Sequence, residues 1–125
     1  MSNGKLTVEL PLPTLNDVLN YAKRHWSFYS IKKKKETKRI AWLARAERLK
    51  PIERPVDVRC LWLTKNRKTD PDNVAHAIKY VLDGLVVAKV FPNDTRKWIK
   101  TLHHDFGVDK SRPRVIVEWE EEDLI

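Results

Sequence analysis

The chain has 125 residues, which suits one domain with one modest core, and its 25 Lys and Arg against 17 Asp and Glu leave a formal charge of +8. That surplus points to a polyanionic partner, because Lys and Arg neutralise phosphates and release counterions. A single cysteine, Cys60, excludes an intramolecular disulfide and a thiolate-rich zinc site. There is no apolar run of about 18 residues, no secretory leader and no lipidation signal, so a soluble, cytoplasmic chain without membrane contact is expected.

In chain order, Lys5 to Leu10, KLTVEL, alternates as a strand with Leu6, Val8 and Leu10 on one face, and Pro11 and Pro13 end it. Thr14 can cap a helix through Tyr21 or His25, with Asp17 three residues on giving an analogue of the capping box. Trp26, Phe28 and Tyr29 of HWSFYS then read as a packed turn. Ser30 is the expected cap of a second helix to about Leu49, with Ile40, Leu43 and Ala44 at helical spacing and Pro51 and Pro55 closing it. VDVRCLWLT alternates Val56, Val58, Cys60 and Trp62 on one face, while Leu61 and Leu63 make its far end apolar on both sides, so it reads as a central strand holding a core thiol. A helix over residues 71 to 85 follows. WIKTLHHDF and RVIVEWE read as strands joined by the turn-rich GVDKSRP, as in a hairpin. This order of elements predicts an α+β fold, residues 1–125 forming a single domain in which a small mixed sheet packs with helices. The strand order stays open.

KNRKTDPDNVAHAIKYVLDGL, residues 65 to 85, carries the chemistry. Asp70 is a natural helix N-cap, Pro71 suits the first helical position, and Asp72 in the first turn complements the helix dipole. On a helical wheel Val74, Ala77, Ile78, Val81, Leu82 and Leu85 make the apolar face, and Asp72, His76, Lys79 and Asp83 a polar stripe opposite. Asp72 and Asp83 would stand about 16 Å apart along the axis, too far to share a metal, so Asp83 is expected to pair with Lys79. Two carboxylates behind Lys65, Arg67 and Lys68 have a use on nucleic acid: they can hold Mg²⁺ through oxygen ligands while the basic residues grip the flanking phosphates. A third carboxylate is needed, and Asp94 of FPND is the leading candidate, its plain alternative being a turn residue.

DPDN opening a helix, LDGL near its end, FPND eleven residues after Asp83, and the amino-terminal LPLPTLN with Asn16 together resemble the RusA family of Holliday-junction resolvases, small dimeric phage and prophage endonucleases. The resemblance covers most of the chain in order. It implies a RusA-like fold and a homodimer that nicks four-way DNA junctions in pairs during recombination and repair, leaving 5′-phosphate and 3′-hydroxyl ends. It also implies a catalytic Mg²⁺, with Mn²⁺ as a substitute, held by Asp70, Asp72 and Asp94. The family pattern D-x-D-N-x-x-K sets a lysine one turn after the second acid. Here His76 stands in that place and Lys79 lies three residues later on the same face, from which it could serve at longer reach. Where related sequences carry paired aspartates, this chain has Asn93 and Asp94, so Asn93 is either a neutral ligand or a turn former.

The expected DNA-contacting residues are Lys32, Lys33, Lys34, Lys35, Lys65, Arg67, Lys68 and Asn16. The four lysines would oppose the dipole of a helix beginning at Ser30, a cost that an external phosphate would relieve. His103 and His104 of HHD point to opposite faces of a strand and are read as structural. The acidic EWEEEDLI is read as a strand end and solvated tail, with docking on a basic patch of a partner subunit as the other reading. The competing function is a DNA-binding protein without catalysis, using its two amino-terminal helices as a helix-turn-helix. A phosphatase of the D-x-D type does not fit, because KNRKT separates the strand from the acids.

Overall fold

The computed structural model describes residues 3–24 and 26–123, leaving aside the side chains of residues 22, 24 and 26. Strand β1 (Asn3–Glu9) leads to helices α1 (Leu15–Arg24) and α2 (Trp26–Ala46), then to strand β2 (Val56–Thr64). Helices α3 (Pro71–Ala75) and α4 (Ile78–Val87) follow, and strands β3 (Ile99–Val108) and β4 (Arg114–Glu121) complete the domain. The four strands make one mixed sheet in the order β1-β4-β2-β3, with β2 antiparallel to β4 and parallel to β3. The fold is α+β, the helices covering one face of the sheet. Among the described residues no helix is long and apolar enough to cross a membrane.

The pattern of β2 explains its central place. Val56, Val58, Cys60 and Trp62 are all buried, beside Val115 and Val117 of β4 and Leu6 and Val8 of β1. The helices cover them with Ile40, Ala44, Val74, Ala77, Tyr80, Val81 and Leu85. Burying a side chain of the Val, Leu or Phe class stabilises by about 1.5–3 kcal/mol, so this layer is the main source of stability. Burial also pushes the Cys60 thiol up to about 12, as befits a core sulfur.

Thr14 and Asp17 form a reciprocal cap. The Thr14 N–H donates to Asp17 Oδ2 at 2.9 Å and the Asp17 N–H donates to Thr14 Oγ1 at 3.2 Å. Helix α2 begins at Trp26, where the sequence suggested Ser30, because nothing between the two residues breaks a helix. It also stops at Ala46, short of Leu49. Arg48 takes a left-handed φ of 53°, and the N–H groups of Arg48 and Leu49 donate to the carbonyls of Arg45 and Ala44. That is a Schellman closure built without glycine.

Two further expectations are corrected. The helix over 71 to 85 is interrupted at His76 and Ala77, where the N–H groups of Ala77, Lys79 and Tyr80 each bond three residues back, tightening the turn between α3 and α4. And β3 and β4 do not form a hairpin, because β2 lies between them. The link from Asp109 to Pro113 crosses the end of β2, a span of two interstrand spacings, or about 10 Å. The Asp109 N–H donates to the Thr64 carbonyl, and its side chain accepts from Ser111, Arg112 and Arg114. The Arg114 guanidinium, at 2.7 Å, leads the contacts that hold the Asp109 carboxyl down at about 2.

Gly84 is where α4 meets α2 most closely. A Cβ there would stand 2.5 Å from Ile40 Cγ2 and 2.7 Å from Ile40 Cβ. Gly84→Ala is therefore expected to destabilise by about 1–3 kcal/mol, the usual cost of overpacking, despite the better helix propensity of alanine. Urea unfolding checks this, and an unchanged or higher midpoint would contradict it.

Candidate metal and nucleic-acid site

The end of β2 opens into a loop shaped by Asn66. Thr64 Oγ1 donates to the Asn66 carbonyl at 2.7 Å, and the Lys68 N–H donates to Asn66 Oδ1 at 2.9 Å. Lys65, Arg67 and Lys68 are exposed along this loop, which delivers Asp70 to the start of α3. Asp70 has the extended backbone of an N-cap, φ −65° and ψ 150°, yet its side chain makes no capping bond. The carboxylate expected to serve the helix is thus left over. Asp72 stands exposed in the first turn, two residues on.

Asn73 ties this corner to α1: its Oδ1 accepts the N–H of Asn16 at 3.0 Å. The amino-terminal motif and DPDN therefore meet in space, although 57 residues separate the bonded pair. Between them lies an apolar cleft of about 230 Å³, lined by Leu12, Trp62, Val74 and Pro113 and rimmed by Lys65 and Asn66.

His76 and Lys79 take different positions. His76 Nε2 is buried and has no hydrogen-bond partner among the described residues, so it does not face a ligand at the surface. Lys79 is exposed. The expected pair of Lys79 with Asp83 does not form among the described residues. Half-buried Asp83 instead lines a cleft with Lys33, Lys34 and Lys38, at the contact of α4 with α2.

Asp94 lines that same cleft. Its N–H donates to Asn93 Oδ1 at 2.7 Å, which assigns Asn93 to shaping the turn. Since β2 and β3 are parallel, Asp70 just after β2 and Asp94 just before β3 belong to opposite ends of the sheet. Asp70 and Asp72 are thus brought together, and Asp94 of the same chain is not brought to them. Among the described residues no three His, Cys, Asp or Glu side chains gather closely enough to hold a metal ion.

The lysine run sits inside α2, beyond its first turn, so it does not oppose the helix start as expected. Lys32 lies 3.4 Å from buried Glu36, which also holds Arg39 at 2.8 Å. Lys34 and Lys35 are exposed, and the same helix displays Phe28, Ile31 and Trp42, each about two-thirds exposed. Phe28 therefore does not belong to a packed turn. Burial raises the Tyr80 phenol above its ordinary range, and nearby Tyr29, Glu36 and Asp17 add to this. This buried polar group was not legible in the sequence, because Glu36 looks like one more charge on a charged helix.

At the far strand His104 is structural. Its Nδ1 accepts the indole N–H of fully buried Trp62 at 2.9 Å, whereas His103 is exposed on the other face. The acidic end is not simply solvated. Glu121 is buried, accepting from the Glu53 N–H and from Arg54 Nε at 3.2 Å.

No protein-family model matches this chain, and no curated protein matches it.

Burial lowers the pKa of His104 below its ordinary value of 6.5. The unfolded chain therefore takes up the proton first as pH falls. The contribution of neutral His104 is complete above about pH 6.5 and is lost as pH drops through the lower folded-state value. Urea midpoints at pH 7.5 and 5 should fall further on acidification in the wild type than in His104→Gln, which keeps a neutral acceptor. Equal losses would contradict this role.

Proposed function

We propose that this protein is a Mg²⁺-dependent endonuclease of the RusA kind, a homodimer that resolves four-way DNA junctions by paired nicks in a bacterial or phage-infected cytoplasm. The observation that carries the reading is the pair Asp70 and Asp72. Both are exposed, the Asp70 side chain caps nothing, and both follow directly on Lys65, Arg67 and Lys68. Two carboxylates beside a phosphate-binding loop would repel DNA unless a cation lay between them. Hard oxygen donors of this type suit Mg²⁺, with Mn²⁺ as a substitute. When bound, the ion would neutralise charge developing on the scissile phosphate and ease deprotonation of water.

Asp94 fits this donor set from a second chain. A two-fold axis that turns one protomer end for end carries Asp94 of the partner subunit to the end where Asp70 and Asp72 stand. Two such sites, one on each side of the axis, suit a substrate that needs two nicks. In the rest of the machinery, Lys65, Arg67 and Lys68 hold the backbone phosphates, and Asn16, pinned by its N–H to Asn73, orients the amino-terminal corner beside them. Exposed Lys79, two turns beyond Asp72, supplies a mobile positive charge near the scissile phosphate in place of the family lysine. His76, turned inward, does not.

The second reading, DNA binding without cleavage through the amino-terminal helices, draws on α2. Phe28, Ile31 and Trp42 stand beside exposed Lys34, Lys35 and Lys38. Such a face could stack and grip single strands at an open junction centre.

Asp72→Asn should keep fold and junction binding but abolish nicking of labelled four-way junctions in Mg²⁺. Asp70→Asn should do the same, since asparagine is an equally good N-cap. Full cleavage by either variant would refute the metal assignment, and junction binding by a wild type that never nicks would favour the second reading.

Replacing Lys33, Lys34 and Lys35 with Gln should weaken junction and duplex binding together. The salt dependence should flatten by up to about 0.9 log units of slope for each lost duplex phosphate contact, while the single-turnover rate at saturating DNA stays near wild type. Lys32→Gln should change the slope least, because Lys32 is already engaged by Glu36. An unchanged slope in the triple variant would make the run a solvated face.

A further inference from the structure

Strand β3 ends the sheet, and among the described residues its outer edge pairs with no strand. Edges of this kind are normally shortened, bulged or charged to prevent association. This one runs for ten residues, its one irregularity being the extra residue Lys100 between the pairs Val56–Ile99 and Asp57–Thr101 at its start, and beyond that point it carries the single charge of Asp105. Its residues Leu102, His104 and Phe106 neighbour Val58, Cys60 and Trp62 of β2, so they face the helix side of the sheet. Yet Leu102 is 40 %, Phe106 44 % and Val108 47 % exposed, because the helices cover β2 and stop short of β3. Among the described residues nothing covers this apolar strip.

We propose that a second copy of this chain covers it: β3 pairs antiparallel with β3 of the partner subunit about a two-fold axis at His104, making one continuous eight-stranded sheet. The register follows from the residues. A two-fold axis normal to the sheet keeps the helices of both copies on one face only if even-numbered residues oppose even-numbered ones. Centred on His104, Leu102 meets Phe106 of the partner subunit on the helix side, and His103 meets Asp105 of the partner subunit on the other. Apolar side chains then oppose apolar ones, and imidazole opposes carboxylate. Centred on Asp105, two aspartates would oppose each other. Centred on His103, Leu102 would face His104 and Lys100 would face Phe106. Of these three registers, the one at His104 alone pairs Leu102 with Phe106 and His103 with Asp105, and it sets Lys100, the extra residue at the start of β3, beside Val108 of the partner subunit.

The pairing depends on the sheet edge alone. Its consequence rests on the metal reading above: the start of β3 in the partner, five residues after its Asp94, comes to lie beside Val108. Val108 shares a groove with Arg67, Thr69 and Pro71.

Sedimentation equilibrium of the full chain, without DNA or metal, tests the surface. The wild type should be a dimer, and His103→Asp, which sets two carboxylates against each other at two symmetric places, should weaken it roughly five- to thirtyfold. The double variant H103D/D105H, which restores the pair with its ends exchanged, should return to the wild-type dissociation constant. Mixed His103→Cys and Asp105→Cys chains should cross-link on oxidation faster than either chain alone, Cys60 being buried in both. A monomer at all concentrations, or a dimer that His103→Asp leaves unmoved and the paired cysteines do not link, would overturn the proposal. Either result would leave the nicking assays of Asp70→Asn and Asp72→Asn to judge the nuclease reading separately.

Discussion

Parallel pairing of β2 with β3 is the constraint from which the arrangement of the acids follows. A parallel neighbour cannot be reached by a tight turn, so the chain leaving β2 must travel back along the whole sheet before β3 begins. Here α3 and α4 make that return. DPDN therefore lies where the crossover starts and FPND where it ends, and their separation is a property of the topology rather than of a flexible loop. Any chemistry that needs the acids of both motifs needs two chains or a different fold.

The crossover is held in place by buried contacts at each stage. Val74 and Ala77 pack under the tightened turn, Tyr80 and Val81 enter the core, and Gly84 admits Ile40 of α2 at a distance no other residue would allow. The site end is fixed by polar contacts instead: the Thr14–Asp17 cap starts α1, and Asn73 then receives the Asn16 N–H. Asp70 and Asp72 stand on this rigid corner with their charges uncommitted to it. The proposed cation site draws on that combination of fixed backbone and free carboxylates.

Much of this was legible in residue spacing. Alternation marked the buried face of β2, and Thr14 with Asp17 announced its cap. What stayed hidden were features set by partners distant in sequence. The turn signals of GVDKSRP suggest a hairpin, and only the pairing of β2 with β3 on one edge and β4 on the other shows that a third strand intervenes. Arg48 ends α2 in a conformation usually left to glycine, so no stop signal precedes Pro51. The break at His76 has no proline or glycine to announce it. The candidate acids were legible as types and positions, but a helical wheel cannot tell that Asp83 turns to the lysines of α2, or that Asp94 joins it there. Lys32 and Glu36 illustrate the same limit, since an i,i+4 pair reads as surface and is in fact half inside.

Mixed dimers separate the proposed site, Asp72 of one chain with Asp94 of another, from one built within a single chain. Asp72→Asn and Asp94→Asn chains should each be inactive alone. After subunit exchange in equal amounts, half the dimers would hold one chain of each kind, and each of those would keep one site with both acids intact. The mixture should recover about a quarter of wild-type nicking of a four-way junction, with single nicks in place of paired ones. A mixture as inactive as its two parents would contradict the two-chain site.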